Sequence, residues 1–125
     1  MSSVNRHECL MVVADLTSGA AVSDWDVGPP VGEAWRIIAA RANHDDPAAH
    51  DMQLLIYQGA SMFAVAYYTA VAQYTEKMLY VSGVFGEPLI LKYGDTLRQH
   101  YPVVLAAGKK AYWQLVYERI LGVCT

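Results

Sequence analysis

The feature that most constrains this chain is a run of 24 residues, Met52 to Thr75, without a charged side chain. As one α-helix this run would be about 36 Å long. That length raises the question of a transmembrane helix, but several tyrosines and glutamines interrupt the run, and tyrosine prefers the membrane interface to its middle. We therefore expect one continuous helix that is buried against protein, and no transmembrane span.

Helix signals also lie on both sides of this run. Pro30 suits the first turn of a helix, and the apolar residues from Val31 to Ala42 have helical spacing. Asp46 followed by Pro47 has the order of an N-cap and a first helical residue, and a broad apolar stripe runs from Pro102 to Leu121. The sequence therefore predicts an all-α fold, a small helical bundle with a long buried central helix and an extended N-terminal arm or loop.

The length of 125 residues fits one domain. We expect an N-terminal segment and arm over 1–30 and a helical core over 31–125. Within the first part, the run Cys9 to Ala14 suits either a short helix or a buried strand, because periodicity does not separate the two. The turn-forming residues from Thr17 to Pro30 indicate the arm or loop.

Composition favours association with other molecules. Hydrophobic residues make up 54% of the chain and charged residues only 17%, so one small core cannot hide all the apolar surface. The net charge of −3 argues against a free-standing nucleic-acid binder. Residues 1–51 hold eight acids and three bases (−5), and residues 52–125 hold four acids and six bases (+2). The two parts are either ordinary solvated faces or complementary surfaces that pair head to tail between copies.

Cysteine content and the N-terminus say little more. Cys9 and Cys124 are the two cysteines, and whether they pair is left open. The first residues contain no apolar signal segment. We therefore expect an intracellular or virion location without a secretory signal.

The densest group of potential metal ligands is His44, Asp45, Asp46, His50 and Asp51. Together with His7 and Asp95, the His44-Asp45 pair resembles the metal-binding pattern of the HD phosphohydrolases. In that family the pair lies in an apolar helical context, whereas here it lies in a helix-breaking loop. We expect Asp46 to cap a helix and its neighbours to be solvated. The sequence thus predicts no catalytic residue, cofactor or metal, with His44 and Asp45 as weak metal candidates.

Aromatic residues suggest where copies could meet, because tyrosine is favoured at protein interfaces. The predicted self-association residues lie on the central and last helices: Tyr57, Tyr67, Tyr68, Tyr112, Trp113 and Tyr117. The predicted nucleic-acid contacts are the basic residues that lie off the apolar stripes: Arg36, Arg41, Lys109 and Lys110. Such residues would bind phosphates without regard to base sequence.

Two short segments, Ile56-Tyr57-Gln58-Gly59 and Lys110-Ala111-Tyr112-Trp113, the latter followed by Tyr117 and Ile120-Leu121-Gly122, carry a family resemblance. They resemble the major coat proteins of archaeal rod-shaped and filamentous viruses, over about a dozen residues. The resemblance implies a helical bundle that dimerises, wraps double-stranded DNA and stacks into a helical filament. The acidic N-terminal region departs from the basic region of such coats, and a second, more basic coat subunit would supply the missing charge.

These observations predict a structural, self-assembling protein that is not an enzyme, a viral coat (nucleocapsid) subunit around double-stranded DNA. Two alternatives stay open. One is an HD-type metal-dependent phosphohydrolase, and the other is a small soluble intracellular binding or regulatory module.

Overall fold

The computed structural model describes residues 9–18, 24–83 and 88–122. Within these ranges the chain forms nine β-strands and no helix, so the prediction of an all-α helical bundle is wrong. The strands are β1 (Cys9–Ser18), β2 (Asp24–Val27), β3 (Glu33–His44), β4 (His50–Gln58), β5 (Ser61–Val71), β6 (Lys77–Val81), β7 (Leu89–Lys92), β8 (Asp95–His100) and β9 (Ala111–Leu121).

The strands form two antiparallel sheets. The first sheet has the order β1-β9-β3-β6, and the second has the order β2-β8-β4-β5. Strand β7 pairs with β3 on the same side as β6, further toward the start of β3. If β6 and β7 are counted as one interrupted strand, eight strands alternate between the sheets, apart from the β4–β5 hairpin. This strand order is that of a jelly roll.

Strand β9 shows how the sequence builds the sandwich. Its alternate residues Ala111, Trp113, Leu115 and Tyr117 are buried, and the residues between them are more exposed. A period of two places every second side chain on the same face of a sheet. The prediction of a helix from Pro102 to Leu121 is therefore wrong. The apolar residues of this segment were interpreted with the period of a helix, whereas those of β9 follow the period of a strand.

Strand β3 explains a second error. Its buried residues Trp35 and Ile37 are two positions apart, and a period of two holds again from Ala40 to His44. Between them, Ile38 is an extra residue opposite β9, a β-bulge that shifts the alternation by one. The shift makes the apolar pattern resemble helical spacing, which is why a helix was predicted here.

The uncharged run from Met52 to Thr75 is a hairpin rather than one helix. Strands β4 and β5 pair antiparallel, with Gln58 opposite Ser61. Of the other predicted features, the segment Cys9 to Ala14 is a strand, the predicted arm contains β2, and Asp46-Pro47 lies in the β3–β4 connection. No helix that could cross a membrane occurs in the part of the chain that the structure describes.

The core lies between the inner faces of the two sheets. It contains two aromatic pairs: Trp35 and Tyr117 stack with ring centroids 4.1 Å apart, and Tyr101 lies 4.7 Å from Trp113. Leu54 from β4 and Leu97 from β8 are almost fully buried among them. The core thus supports β4 and β8, the two inner strands of the second sheet.

Candidate self-association surface

The turn of the β4–β5 hairpin is a two-residue loop, Gly59–Ala60. Gly59 has a φ of +61°, and Ala60 is not among the residues with positive φ. A positive φ at the first central position alone is typical of a type II′ turn, which favours glycine there. The turn brings the first residues of β5 back along β4 and makes β5 the edge of the second sheet.

The first four residues of β5, Ser61 to Ala64, are all exposed. Successive residues of a strand point to opposite faces, so the described part of the chain leaves both faces of this stretch largely open. Met62 and Phe63 are each 53% exposed. A flat, apolar and uncharged strand at the edge of a sheet can pair with another strand.

Two β-bulges bend the rest of β5. At the first bulge, Val65 is an extra residue opposite the bond between Leu54 and Leu55. The second bulge lies on β5 between Tyr68 and Val71. Bulges turn an edge away from a partner. The regular part of the edge is therefore the exposed stretch Ser61 to Ala64.

The far end of β5 is held by Asp51 of β4. The Tyr67 hydroxyl donates to one Asp51 oxygen at 2.6 Å, and the Ala70 amide donates to the other at 2.8 Å. These bonds favour the charged carboxylate, so they hold the pKa of Asp51 below its usual value. The hydrogen bond between Tyr67 and Asp51 also raises the pKa of the Tyr67 hydroxyl. Ala70 has a φ of +51°, so Asp51 accepts a bond from a residue in the left-handed region.

An apolar groove of about 400 Å³ lies between β5 and β6, which are edge strands of different sheets. Its lining includes Val65, Tyr68, Met78 and Val81. The Tyr68 hydroxyl donates to the Met78 carbonyl at 3.0 Å and links the two strands. The groove extends the apolar surface of β5 toward the first sheet.

The opposite edge of the second sheet is β2, which is short and charged. The Arg98 guanidinium of β8 binds both carboxylate oxygens of Asp26 at 2.7 Å and lies 4.8 Å from the centre of the Tyr57 ring. The carboxylates of Asp26 and, to a lesser extent, Asp24 raise the pKa of Arg98. One oxygen of Asp24 is paired with Nδ1 of His100, which lies on β8 with Arg98.

The six predicted self-association residues lie in different places. Tyr67 is exposed on β5, and Tyr112 is partly exposed on β9. Tyr57 and Tyr68 are half-buried, whereas Trp113 and Tyr117 are in the core and pack inside one chain. Sequence reasoning missed Met62 and Phe63. The Gln58-Gly59-Ala60-Ser61 turn between two apolar segments was the signal that could have found them.

The weak metal candidate His44 is buried, not solvated as predicted. Its Nδ1 accepts from the Asp46 amide at 3.1 Å and its Nε2 donates to the Val71 carbonyl at 2.8 Å. Both ring nitrogens are thus used by the backbone. Asp45 accepts the Lys110 amide at 2.5 Å. Among the described residues, no group of three or more potential ligands could hold a metal ion.

Asp46 is the centre of a buried network at the β3–β4 connection, where sequence reasoning expected a helix cap. Its carboxylate accepts the amides of Ala106 and Ala48 and the Nε2 proton of His50, at 2.7, 2.9 and 2.8 Å. The two amides and then His50 lower the pKa of Asp46 to about 2. The other nitrogen of His50 faces the Val103 carbonyl at 3.2 Å. His50 thus ties the β8–β9 loop to the connection.

The other residues of the HD-like pattern do not join this network. Asp95 lies beside Gln58, at the opposite end of β4 from His50, and its carboxylate accepts the Lys92 amide at 3.0 Å. His7 lies outside the described residues, as does Cys124. The structure therefore does not bring the described members of the pattern together.

The predicted phosphate contacts do not form one cluster either. On β3, Arg36 is paired with Glu118, and Arg41 donates to Gln114 at 2.6 Å and to Glu76 at 3.2 Å. Lys109 and Lys110 lie just before β9. The role of these four residues in nucleic-acid binding stays a prediction.

No family model, curated protein or solved structure matches this chain. The resemblance to the filamentous coat proteins and to the HD phosphohydrolases therefore has no support from these comparisons. The helical bundle that the coat resemblance implied is absent from the described residues.

Proposed function

We propose that this chain is a structural protein that assembles with copies of itself through the β5 edge. The observation that carries the proposal is the exposed, regular stretch Ser61 to Ala64, in which two large apolar side chains, Met62 and Phe63, stand on opposite faces. Burying such surface against a partner is favourable by roughly 25 cal/mol per Å².

The simplest pairing is antiparallel, about a twofold axis that passes between the two copies of Phe63. Each copy then presents the same surface to the other, as in most homodimers. Phe63 pairs with Phe63 of the other copy and Met62 pairs with Ala64, so that paired side chains lie on the same face of the sheet. The backbone groups of the edge gain hydrogen bonds, and two four-stranded sheets become one sheet of eight strands. The groove beside β6 offers further apolar surface to the same partner.

A viral coat subunit is one form that such a structural protein takes, since jelly rolls build viral capsid domains as well as lectins and cupins. A fold hosts many functions, so the proposal rests on the β5 edge and not on the strand order. Wrapping of DNA is not part of it, because Arg36 and Arg41 are paired with acceptors on neighbouring strands.

The test is a charge placed on the edge. Phe63→Lys puts an ammonium group where the partner strand must approach, and edge lysines block such pairing. Val31→Lys is the matched control, because Val31 is also an exposed apolar residue but lies in the turn before β3. We expect the native chain and Val31→Lys to form oligomers in analytical ultracentrifugation, and Phe63→Lys to sediment as a monomer with an unchanged melting temperature.

Two results would contradict the proposal. One is a native chain that stays monomeric at all concentrations. The other is a Phe63→Lys variant that associates as strongly as the control.

A further inference from the structure

A second surface feature lies on the outer face of the first sheet, away from the β5 edge. It is a pocket of about 260 Å³, here called the outer-face pocket, formed where β1, β3 and β9 run side by side. Its polar lining includes Asp15, Arg41, Asn43, Glu76, Tyr112 and Gln114. The volume lies just below the range of about 300–1,000 Å³ typical of sites for drug-sized ligands. The pocket therefore suits one small ring.

The pocket has a continuous hydrogen-bonded floor. Arg41 donates to Glu76 at 3.2 Å and to Gln114 at 2.6 Å, and Gln114 donates to Asp15 at 2.8 Å. Arg41, Gln114 and Asp15 lie directly opposite one another on β3, β9 and β1. Each side chain is thus oriented by its neighbour, which reduces the entropy that a ligand must overcome.

The floor still has hydrogen-bond donors and acceptors that a ligand can use. A guanidinium has five N–H donors and a carboxylate accepts through two oxygens. In the described part of the chain, the bonds of this row use one N–H each at Nε and Nη1 of Arg41, and one oxygen each of Asp15 and Glu76. Donors and acceptors therefore alternate along a line of side chains.

This charge pattern selects the ligand class. Two carboxylates disfavour a phosphate or a carboxylate ligand, and the central guanidinium disfavours an ammonium ligand. A purely apolar ligand would leave the polar floor without partners, which is costly. The ligand that matches alternating donors and acceptors without a net charge is a molecule with several hydroxyl groups.

Tyr112 adds a flat surface beside the floor. It lies opposite Asn43 of β3 and is 36% exposed. Partial burial and the nearby Asp45, with which the hydroxyl shares a hydrogen bond, raise the pKa of that hydroxyl. An aromatic ring can pack against the apolar C–H face of a sugar ring while polar groups bind its hydroxyls.

We propose that the outer-face pocket binds a neutral saccharide, with the Glu76–Arg41–Gln114–Asp15 row as its hydroxyl-binding floor and Tyr112 as its packing surface. This site is separate from the proposed assembly edge, since β5 belongs to the other sheet. Sugar binding and assembly can therefore fail independently.

The experiment is an NMR titration of the ¹⁵N-labelled chain with glucose, galactose, mannose, N-acetylglucosamine and their disaccharides, with sorbitol as an open-chain comparison. We expect at least one sugar to shift the amides of Asn43, Tyr112 and Gln114 in a saturable way, with a Kd in the millimolar range. Gln114→Leu and Tyr112→Ala should each weaken this binding about tenfold.

Glu118→Gln is the control, because Glu118 is also on β9 and pairs with Arg36 outside the pocket. It should leave the Kd unchanged, and Phe63→Lys should do the same. The proposal is overturned if no sugar produces a saturable shift, if sorbitol produces the same shifts, or if the Gln114→Leu and Tyr112→Ala variants, correctly folded by their spectra, bind as well as Glu118→Gln.

Discussion

The two edge strands of the second sheet, β2 and β5, differ in length and in charge. Strand β2 has four residues, two of them aspartates that bind Arg98 and His100 of the neighbouring strand. Strand β5 has eleven residues and no charge of its own. Short, charged edges resist pairing with another chain, and long, uncharged ones invite it. The comparison teaches that one sheet can be protected at one edge and open at the other, which would give the proposed assembly a direction.

The largest expected effect concerns a glycine next to each edge strand, Gly28 after β2 and Gly59 before β5. A Cβ at Gly28, just after β2, would lie 2.2 Å from the carbonyl oxygen of Asp95. Gly28→Ala must displace backbone, and it should lower the free energy of unfolding by about 1–3 kcal/mol in urea denaturation.

Gly59→Ala, in the turn before β5, is the matched variant. Gly59 has a φ of +61° but no atom within 4 Å of an added Cβ, so the cost is backbone strain alone, about 1 kcal/mol. If the two variants lose the same stability, β2 is not packed more tightly than the β5 turn.

The two ends of β5 should respond differently to pH. The pKa of Asp51 is lowered by hydrogen bonds from Tyr67 and Ala70, so the fold favours its carboxylate. The stabilisation is fully present above the unfolded pKa of about 4 and is lost as pH falls through the lower folded pKa. The Ala70 amide resonance should move in this acid range, and the resonances of Ser61 to Ala64 should move much less.

Asp51→Asn is the control for this titration. It should abolish the acid-dependent shift of the Ala70 amide and lower the melting temperature by a few degrees at neutral pH. An identical titration in the variant would show that Asp51 does not hold the end of β5.

The smallest effect is expected at the charged edge. Asp26→Asn weakens a pair in which the Asp26 side chain is 41% exposed, and exposed pairs contribute at most about 1 kcal/mol. The loss should shrink further in high salt. The double variant Asp24→Asn/Asp26→Asn should instead change association, because it removes both charges from β2. Light scattering no stronger than that of the native chain at the same concentration would argue that length, and not charge, protects the edge.

Part of the fold could be predicted from local sequence. Strand β9 alternates buried and exposed residues from Ala111 to Tyr117, and the segment Cys9 to Ala14 left a strand open as an alternative. The helical assignment elsewhere had a physical origin. The bulge at Ile38 shifts the alternation of β3, and β4 and β5 show little alternation, because β4 is buried on both faces at Leu54 and Leu55, whereas β5 is exposed on both at its start.

The candidate site was partly within reach of the sequence. The uncharged run contains the β5 edge, and Tyr67 was named on it, although the run was predicted to be a buried helix. Met62 and Phe63 were not named, because a buried helix and an exposed hairpin can have the same uncharged composition. Only the position of β5 at the end of a sheet makes these residues accessible.

By itself, the sequence determined the uncharged run, the high apolar content and the glycine that the β4–β5 turn requires. Tertiary structure decided which strands became neighbours, such as β1 with β9. It also decided that Asp46 would meet the amide of Ala106, sixty positions away, and that Asp15, Gln114 and Arg41 would form one row. The physical reason is that a strand completes its hydrogen bonds with another strand, often one far along the chain, whereas a helix completes them within its own segment.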